Sequence, residues 1–343
     1  MQKTTAIIGA SGYTGSELLR LLTAHPELEL VAATAHSLAG KKVCEVYPHL
    51  HCYGNLHFAS ADQVSEKLTE ADVVFSALPH GKSMEVLPNL KSKSLVDLGS
   101  DFRLKEASLY DQWYGRPHIC PDELGDWTYG LCELFKDNIT KANKIANPGC
   151  YPTAVSLALA PLLKEGLIEE VVQVDAVSGV SGAGRVPGEK VHFSHVDENF
   201  SAYKVTAHQH TPEIEMAVNS YASSNVKVSF TAHLAPMVRG IHATSSAQVK
   251  DGVNQKKLND CLQAAYSTSE FVYVIEGQPQ TKAVTSSNCA LINAKLDNRT
   301  GRAVVTSVID NLVKGAAGQA IQNANIILGM PEETGLPVSG LYP

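Results

Sequence analysis

Three glycines in the segment Gly9-Ala10-Ser11-Gly12-Tyr13-Thr14-Gly15 constrain the fold of this chain more than any other feature. An apolar strand at residues 4–9 leads into the segment, an amphipathic helical pattern follows at 16–22, and a second strand is predicted at 29–34. Glycines allow the tight turn and let a pyrophosphate approach backbone N–H groups at the helix start. The Gly-x-x-Gly-x-x-Gly spacing is weak alone, and a glycine turn in another α/β domain is the alternative. The context predicts a Rossmann-type dinucleotide-binding domain.

The end of the second strand indicates which dinucleotide is bound. NAD-binding domains usually place an acidic residue there for the ribose 2′-hydroxyl. Residues 35–42 contain none, whereas Ser37, Lys41 and Lys42 suit a 2′-phosphate. We therefore expect NADP, although the lysines would also fit an ordinary solvated loop.

Two further strands, predicted at 72–78 and 94–99, end in polar or small residues. The loops that follow are Pro79-His80-Gly81 and Ser100-Asp101-Phe102-Arg103. Ligands of open parallel sheets bind beyond the carboxyl ends of the strands, so both loops should border the cofactor. The planar guanidinium of Arg103 suits a carboxylate or phosphate, and a surface arginine without a binding role is the alternative.

Cys150 is the principal candidate for chemistry. It follows a short strand at 144–146 and the turn Asn147-Pro148-Gly149. The pattern at 155–166 predicts a helix, and Pro152 suits its first turn. A thiol at a helix start faces the positive end of the helix, which favours the nucleophilic thiolate. A buried cysteine that packs as a small hydrophobe is the alternative. Because Cys150 follows a strand of the same sheet, it is expected to open onto the same crevice as the cofactor.

Composition bounds the remaining options. The 343 residues suffice for two domains, and a net charge of −7 provides no basic field for nucleic acid and no polybasic membrane patch. Seven cysteines without Cys-x-x-Cys spacing favour a reducing cytoplasm over a disulfide framework. The N-terminal segment resembles neither a signal peptide nor a membrane span.

The second half changes in character. Several segments alternate between apolar and polar residues and predict strands, with a glycine- and serine-rich loop after the first and a helix at 255–267. This pattern indicates an α+β domain on a mostly antiparallel sheet, whose face is suited to pairing subunits in a homo-oligomer, either a dimer or a tetramer. The predicted strands lie at 171–177, 227–233, 241–249, 271–275, 290–296 and 302–309.

The last helix is predicted at 310–325 and has glycines 315 and 318 in its interior. Each interior glycine costs about 1 kcal/mol relative to alanine, which is tolerable where a backbone or a flat cofactor ring packs closely. We expect this helix to return to the first domain and pass near the nicotinamide, with close helix packing as the alternative.

The predicted boundaries are a discontinuous NADP-binding domain, 1–149 plus 315–343, and a catalytic and oligomerisation domain, 150–314.

Thirteen histidines raise the question of a metal site. His49 and His51 lie in a polar loop, and His208 and His210 lack a third ligand at metal spacing, so no metal is predicted. Thr211 is expected to be the N-cap of a helix, with proline at its first position. A rigidly held histidine just before this helix would suit a Cys–His reaction pair, and a core or surface histidine is the alternative.

Five motifs together resemble the N-acetyl-gamma-glutamyl-phosphate reductase family of the arginine pathway, which is related to aspartate-semialdehyde dehydrogenase. The resemblance extends from about residue 7 to 325, and the cysteine and histidine motifs are its specific part. One departure is Cys132, where the family usually has proline; we expect it to alter a loop and not the chemistry. The motifs are residues 9–15, 100–103, 147–153, 178–184 and 208–213.

The resemblance implies a role for each matching residue. Cys150 is the nucleophile and His208 the acid–base partner, with His210 as its rival. The substrate-binding residues implied are Arg103, Tyr203, Ser181 and Gly182. The residues implied to surround NADP are Gly9, Ser11, Gly12, Tyr13, Thr14, Gly15, Ser37, Leu78, Pro79, His80 and Asn323.

The expected activity is NADPH-dependent reduction of N-acetyl-gamma-glutamyl phosphate to the semialdehyde through a cysteine thioester. One alternative is the same chemistry on aspartyl or N-acetyl-aminoadipyl phosphate, because the motifs define the reaction better than the length of the substrate. The other is an NADP-binding, redox-sensing regulator that uses Cys150 as its switch.

Overall fold

The computed structural model describes residues 2–342, which divide into two compact units. The first unit comprises the residues up to 111, 115–148 and 316–336. The second comprises 112–114, 149–315 and the residues from 337 onward. The chain therefore leaves the first unit just before Cys150 and returns to it after Gly315.

The first unit is built on a six-stranded sheet in the order β2-β1-β3-β4-β6-β5, in which every pair of neighbouring strands is parallel. The strands are β1 (Lys3–Ile8), β2 (Leu28–Ala33), β3 (Val73–Ser76), β4 (Leu95–Asp97), β5 (Thr128–Tyr129) and β6 (Lys144–Ala146). The helices up to β6 are α1 (Tyr13–Leu22), α2 (Val43–Val46), α3 (Ser65–Glu70), α4 (Ser83–Val86), α5 (Ser108–Tyr114) and α6 (Cys132–Ile139).

The second unit is built on a seven-stranded sheet in the order β11-β12-β13-β10-β7-β9-β8. Only the β7–β9 and β11–β12 pairs are parallel. The strands are β7 (Ile168–Ser178), β8 (Ser201–Tyr203), β9 (Lys227–Leu234), β10 (Ile241–Val249), β11 (Val272–Val274), β12 (Ala290–Asp297) and β13 (Arg302–Ile309). The helices are α7 (Cys150–Lys164), α8 (Phe193–Val196), α9 (His210–Ala222) and α10 (Gln255–Tyr266). Both parts of the predicted fold class, the Rossmann-type sheet and the mostly antiparallel sheet, are confirmed.

Helix α7 forms the centre of the second unit. Every residue from Tyr151 to Leu163 is buried, as expected for a helix that is apolar on all sides. The helix packs on β10 and β13 and against α9 and α10. The first residue of α7 is thereby held at a fixed place at the end of the core.

Helix α11 (Gly318–Ile327) belongs to the first unit, to which His25 anchors it. His25 Nε2 donates to Asn325 Oδ1 at 3.0 Å, while His25 Nδ1 accepts the N–H of Leu28 at 2.9 Å. These two bonds require a neutral imidazole with its proton on Nε2. The side chain of Asn325 also donates to Thr334 O at 2.9 Å, so one polar cluster joins α1, α11 and the segment that follows α11.

The structure corrects several local predictions. The predicted N-cap Thr211 was wrong, because α9 begins at His210 with Gln209 as its N-cap. The helix predicted at 310–325 begins as a π-helix, Val313–Ala317, since Asp310 accepts backbone N–H groups with its side chain instead of continuing a helix. The two short strands β5 and β8 were missed because two or three residues show no periodicity.

Cys132, the departure from the family pattern, lies at the first residue of α6 and not in a loop. Proline is favoured at that position because the N–H there has no partner within the helix. A cysteine keeps the same backbone and points its sulfur to the carbonyl of Gly130 at 3.8 Å.

Within residues 2–342, no helix is long and apolar enough to span a membrane.

We expect acid to weaken the anchor of α11. Burial is the main cause that lowers the pKa of His25 from 6.5, so folding keeps the ring neutral while the unfolded chain protonates it. The unfolded state then binds more protons, and the free energy of unfolding falls as pH drops below about 6.5. His25→Gln removes this titration and should destabilise the protein at pH 7.5 by about 1–3 kcal/mol through lost hydrogen bonds.

Urea unfolding of both proteins between pH 5 and pH 8 measures this effect. The stability difference between wild type and variant should shrink as the pH falls. A difference that is constant over the whole range would show that His25 does not titrate between the folded and unfolded states.

Candidate active site

Cys150 occupies the first position of α7, as the sequence predicted. Its N-cap, Gly149, is extended and makes no side-chain capping bond. The 15-residue helix therefore begins at the thiol, where the positive end of the helix favours the thiolate. Cys150 is neither sealed in the core nor fully exposed.

Two neighbours fix the start of α7. The N–H of Gly149 donates to Glu213 Oε1 at 2.7 Å, and the Glu213 side chain is completely buried in the first turn of α9. On another side, a Cβ added to Gly315 would lie 2.8 Å from the Cβ of Cys150. Gly315 is in the π-helix, and its N–H donates to Asp310 O at 2.9 Å. This contact explains one of the two glycines that the sequence places in the last helix.

His208 is buried beside a cluster of aromatic rings. Its ring centroid lies 5.5 Å from that of Tyr151, 5.5 Å from that of Tyr203 and 4.8 Å from that of His210. Burial, together with the positive charge of Lys204, lowers the pKa of His208 to about 3. The imidazole is therefore neutral throughout the working pH range.

The hydrogen bond of His208 determines its tautomer. Its Nδ1 accepts the backbone N–H of His210 at 3.1 Å, so the proton of the neutral ring is on Nε2. His208 thus presents an N–H donor in the resting state. It is arranged to donate a hydrogen bond that stabilises a developing oxyanion.

Tyr203 joins this cluster through its hydroxyl, which lies 3.0 Å from that of Tyr151. Burial is the main cause that raises the pKa of Tyr203 to about 12, and the charge of Cys150 contributes to the increase. The same two effects raise the pKa of Tyr151. Both phenols therefore lie within electrostatic reach of the thiolate and are themselves protonated.

Ser181 and Gly182 lie in a short turn after β7, also in the second unit. Ser181 Oγ accepts a hydrogen bond from Asn311 Nδ2 at 3.0 Å, and Asn311 Oδ1 accepts the N–H of Gly240 at 2.7 Å. A Cβ on Gly182 would lie 2.8 Å from Ser178 Oγ. The turn is rigid, and the predicted role of both residues in binding substrate stays a prediction.

Arg103 is buried in the first unit with only 4% of its surface exposed, which excludes the alternative of a surface arginine. Its Nε donates to Asn147 O at 2.8 Å, and its Nη2 donates to Leu98 O at 2.9 Å. The guanidinium therefore fixes the end of β4 and the turn that precedes Cys150 in the chain. Its role in binding an anionic substrate stays a prediction.

The predicted cofactor residues lie in the first unit, at the carboxyl ends of its strands. The turn of residues 9–15 joins β1 to α1, and Ser37 follows β2 in an exposed loop. A Cβ on Gly9 would lie 2.7 Å from Ala77 O and 3.2 Å from Leu78 N, so the glycine turn and the loop after β3 adjoin each other. Asn323 Nδ2 donates to Gly130 O at 2.8 Å and to Asn147 Oδ1 at 3.1 Å, beside the ends of β5 and β6.

Sequence reasoning did not find the contacts by which Glu213 and Gly315 hold the start of α7. Glu213 lies in the quoted histidine motif, but its contact with Gly149 spans 64 positions and has no local signal. Gly315 did carry a signal, an interior helical glycine. Its partner could not be read from the sequence.

We expect Gly315→Ala to displace Cys150. The added methyl group would overpack the start of α7, which typically costs about 1–3 kcal/mol and shifts the backbone. Thermal unfolding should show the loss of stability, and peptide mass spectrometry should show slower alkylation of Cys150 by iodoacetamide. Gly277→Ala is the matched control, because a Cβ at Gly277 meets nothing within 4 Å. Equal alkylation rates in wild type and Gly315→Ala would refute the positioning role of Gly315.

The chain matches two known domain families, one for each of its two sheets. Residues 4–142 match the semialdehyde dehydrogenase NAD binding domain, and residues 150–311 match the semialdehyde dehydrogenase dimerisation domain. Among solved structures, aspartate semialdehyde dehydrogenase II from Vibrio cholerae superimposes with a TM-score of 0.71 at 18% identity, covering 96% of this chain and 99% of that one. The Candida albicans enzyme, solved with NADP, has a TM-score of 0.66 at 16% identity and covers 96% and 99%. These likenesses establish the fold.

Relatives with higher sequence identity show to which enzyme family the chain belongs. The N-acetyl-gamma-glutamyl-phosphate reductase of Pelotomaculum thermopropionicum is 47% identical over 100% of both chains. The reductase of Desulforudis audaxviator is 48% identical over 98% of this chain and 99% of its own. A probable chloroplastic reductase of Arabidopsis thaliana is 44% identical over 98% of this chain and 84% of its own. The chain therefore belongs to the N-acetyl-gamma-glutamyl-phosphate reductase family.

Proposed function

We propose that this protein catalyses the NADPH-dependent reduction of N-acetyl-gamma-glutamyl phosphate to N-acetyl-L-glutamate 5-semialdehyde, with release of phosphate, in arginine biosynthesis. The observation that carries the proposal is a cysteine at the first position of α7, in the same unit as a buried, neutral histidine whose Nε2–H is available to donate. Relatives that share 44–48% identity over 98% or more of this chain carry the name of this reductase.

The residues of the first unit fit a dinucleotide. Gly12 is the N-cap of α1, and a Cβ there would meet nothing within 4 Å, so space for a phosphate lies at the start of a ten-residue helix. The hydroxyl of Tyr47 donates to Ser11 O at 2.7 Å and holds this turn. Asn323 is completely buried, yet its Oδ1 accepts no hydrogen bond among the described residues. A nicotinamide carboxamide N–H would satisfy that oxygen.

The residues proposed to hold NADP are Gly9, Ser11, Gly12, Tyr13, Thr14, Gly15, Ser37, Leu78, Pro79, His80 and Asn323. NADPH, when bound, supplies the hydride. Ser37 is exposed and follows the end of β2. No acidic residue stands at that end, where NAD sites usually have one, which supports the 2′-phosphate form of the cofactor.

Cys150 carries the covalent chemistry. Its thiolate attacks the acyl carbon, the new S–C bond forms, and the C–O bond to phosphate breaks as phosphate leaves. The sulfur of a thioester donates little lone-pair electron density into the carbonyl group. The carbonyl carbon therefore accepts hydride more readily than that of a carboxylate does. The thiohemiacetal oxyanion that results expels the Cys150 thiolate and leaves the aldehyde. The net reaction consumes one proton, which the released phosphate takes up, and Cys150 returns to the thiolate form.

His208 is proposed to donate a hydrogen bond from its Nε2–H to the thiohemiacetal oxyanion, because the ring is neutral and its Nδ1 accepts the N–H of His210. His210 remains the rival for this role. Tyr203, Ser181, Gly182 and Arg103 are the proposed substrate-binding residues. Tyr203 is supported by geometry, because its hydroxyl lies 3.0 Å from that of Tyr151, the residue next to Cys150.

A homo-oligomer, either a dimer or a tetramer, is part of the proposal. On β10, Ile241, Ala243 and Ala247 are buried on the side that α7 covers, whereas the intervening His242 and Thr244 are only half-buried. A second copy of the chain would cover this other face of the sheet. We also propose a cytoplasmic location, where the seven cysteines would remain reduced.

The reaction is tested in the direction of phosphate-dependent NADP reduction. We expect N-acetylglutamate semialdehyde to be a far better substrate than aspartate or N-acetyl-aminoadipate semialdehyde. Cys150→Ser should abolish turnover and leave NADP binding intact, because the serine hydroxyl is a far weaker nucleophile than a thiolate. A preference for aspartate semialdehyde would remove the proposed substrate. Absence of turnover in the wild type would favour the redox-sensing regulator.

The pH–rate profiles of alanine variants distinguish the roles of His208 and His210. His208→Ala should lower kcat by about 10²–10³-fold, the usual cost of removing one hydrogen-bond donor to an oxyanion. Because the pKa of His208 is about 3, any limb of the wild-type kcat/KM profile near neutrality belongs to another group and should persist in this variant. His210→Ala is the matched variant. Loss of a neutral limb in His208→Ala alone would contradict the assignment of a neutral, buried His208.

A further inference from the structure

The loop between β3 and α4 is bound to the carboxylate of Asp101. Asp101 Oδ1 accepts the N–H of Gly81 at 2.8 Å, and Asp101 Oδ2 accepts the N–H of Met84 at 3.2 Å. Asp101 is 3% exposed. An ionised carboxylate only accepts hydrogen bonds, so its two oxygens match two backbone donors of this loop.

Asp101 is itself held in place. His118 Nε2 contacts Asp101 O at 2.7 Å, and His118 Nδ1 accepts the N–H of Cys120 at 3.3 Å, which places the ring proton on Nε2. The hydroxyl of Ser100 adds a bond to Asp101 Oδ1 at 3.3 Å. Because the carboxylate cannot move freely, it determines where the loop lies.

A second carboxylate holds the same helix start. Asp97, at the end of β4, is completely buried and accepts the hydroxyl of Ser83 at 2.7 Å and the N–H of Gly99 at 3.1 Å. Ser83 is the first residue of α4. Charge-assisted hydrogen bonds of this kind are stronger than neutral ones, so the end of β4 and the loop after β3 form one rigid assembly.

Gly81 can tolerate no side chain in this assembly without displacement. Its φ is +85°, and a Cβ there would lie 1.7 Å from Nη1 of Arg116. The guanidinium of Arg116 therefore covers the glycine that Asp101 binds. Gly81 directly follows Leu78, Pro79 and His80, the part of the proposed cofactor site that comes from this loop.

We propose that Asp101 is a positioning residue that holds residues 79–84 in the conformation that binds NADPH and thereby determines the affinity for the cofactor. The inference rests on the proposed function, because it takes this loop as part of the NADPH site. It adds a residue that acts through the backbone and does not touch the cofactor.

Asp101→Asn tests the proposal. The amide offers one acceptor oxygen where the carboxylate has two, so its NH₂ group faces the N–H of Gly81 or Met84 without a bond. We expect the Kd for NADPH, measured by fluorescence titration, to rise about tenfold, in line with the loss of one charge-assisted hydrogen bond. Hydrogen exchange of residues 79–86 in the cofactor-free protein should accelerate. The KM for NADPH should rise more than kcat falls.

Asp101→Glu keeps the charge but moves both oxygens by one methylene, and it carries the test if Asp101→Asn fails to fold. It should also weaken NADPH binding and loosen the loop, because the position of the oxygens and not the charge is decisive. Asp122→Asn, at an exposed position of the same unit, is the matched control and should behave as wild type.

Two results would overturn the inference: wild-type affinity for NADPH in both Asp101 variants, or unchanged exchange at residues 79–86. A wild-type protein that does not bind NADPH would overturn the proposed function instead. In that case the exchange measurement still reports on the contact between Asp101 and the loop.

Discussion

The structure depends on the way in which the start of α7 is held. The helix is apolar on all sides and immobilised in the core, so its first residue has little freedom. Glu213 accepts the N–H of Gly149, and Gly315 lies so close to Cys150 that an added Cβ would be 2.8 Å from the Cys150 Cβ. A nucleophile at the positive end of a helix gains from the dipole only while it stays at that end. Burial of the whole helix and two tight local contacts supply this constraint.

The first unit uses buried polar groups for a similar purpose. Asp97, Asp101 and Arg103 all lie in or just after β4, and all three are nearly or completely buried. Asp101 and Arg103 bond mainly to backbone groups of neighbouring loops, which orders these loops. Asp97 bonds to the hydroxyl of Ser83 and to the N–H of Gly99. Loops at the ends of parallel strands are where ligands bind, so rigidity there is useful. At Asp97 the hydrogen bonds offset the cost of burial only in part, because its Oδ2 accepts no hydrogen bond among the described residues and burial raises its pKa to about 6.

The sequence predicted the elements with strong periodicity or a clear turn. Strands β10 and β13 agree with the prediction to the residue, and Cys150 lies at the start of a helix as predicted. The prediction failed where a side chain, and not a backbone carbonyl, accepts the N–H groups of the following residues. Asp310 accepts the N–H groups of Leu312 and Val313, which delays the last helix and leaves a π-helical turn around Gly315. No local pattern signals such a competition, because its outcome depends on Ser286 and Arg239, which bind the same carboxylate from other segments.

By itself, the sequence determined the two sheet types, the glycine turn at the start of α1 and the identity of the thiol, because these features depend on residues adjacent in the chain. Only the tertiary structure decided what the distant side chains do. Arg103 donates to the backbone carbonyls of Asn147 and Leu98, and His208 is neutral with its proton on Nε2. The physical reason is that burial and hydrogen-bond partners set the charge and tautomer of a group, and both are properties of the packed chain.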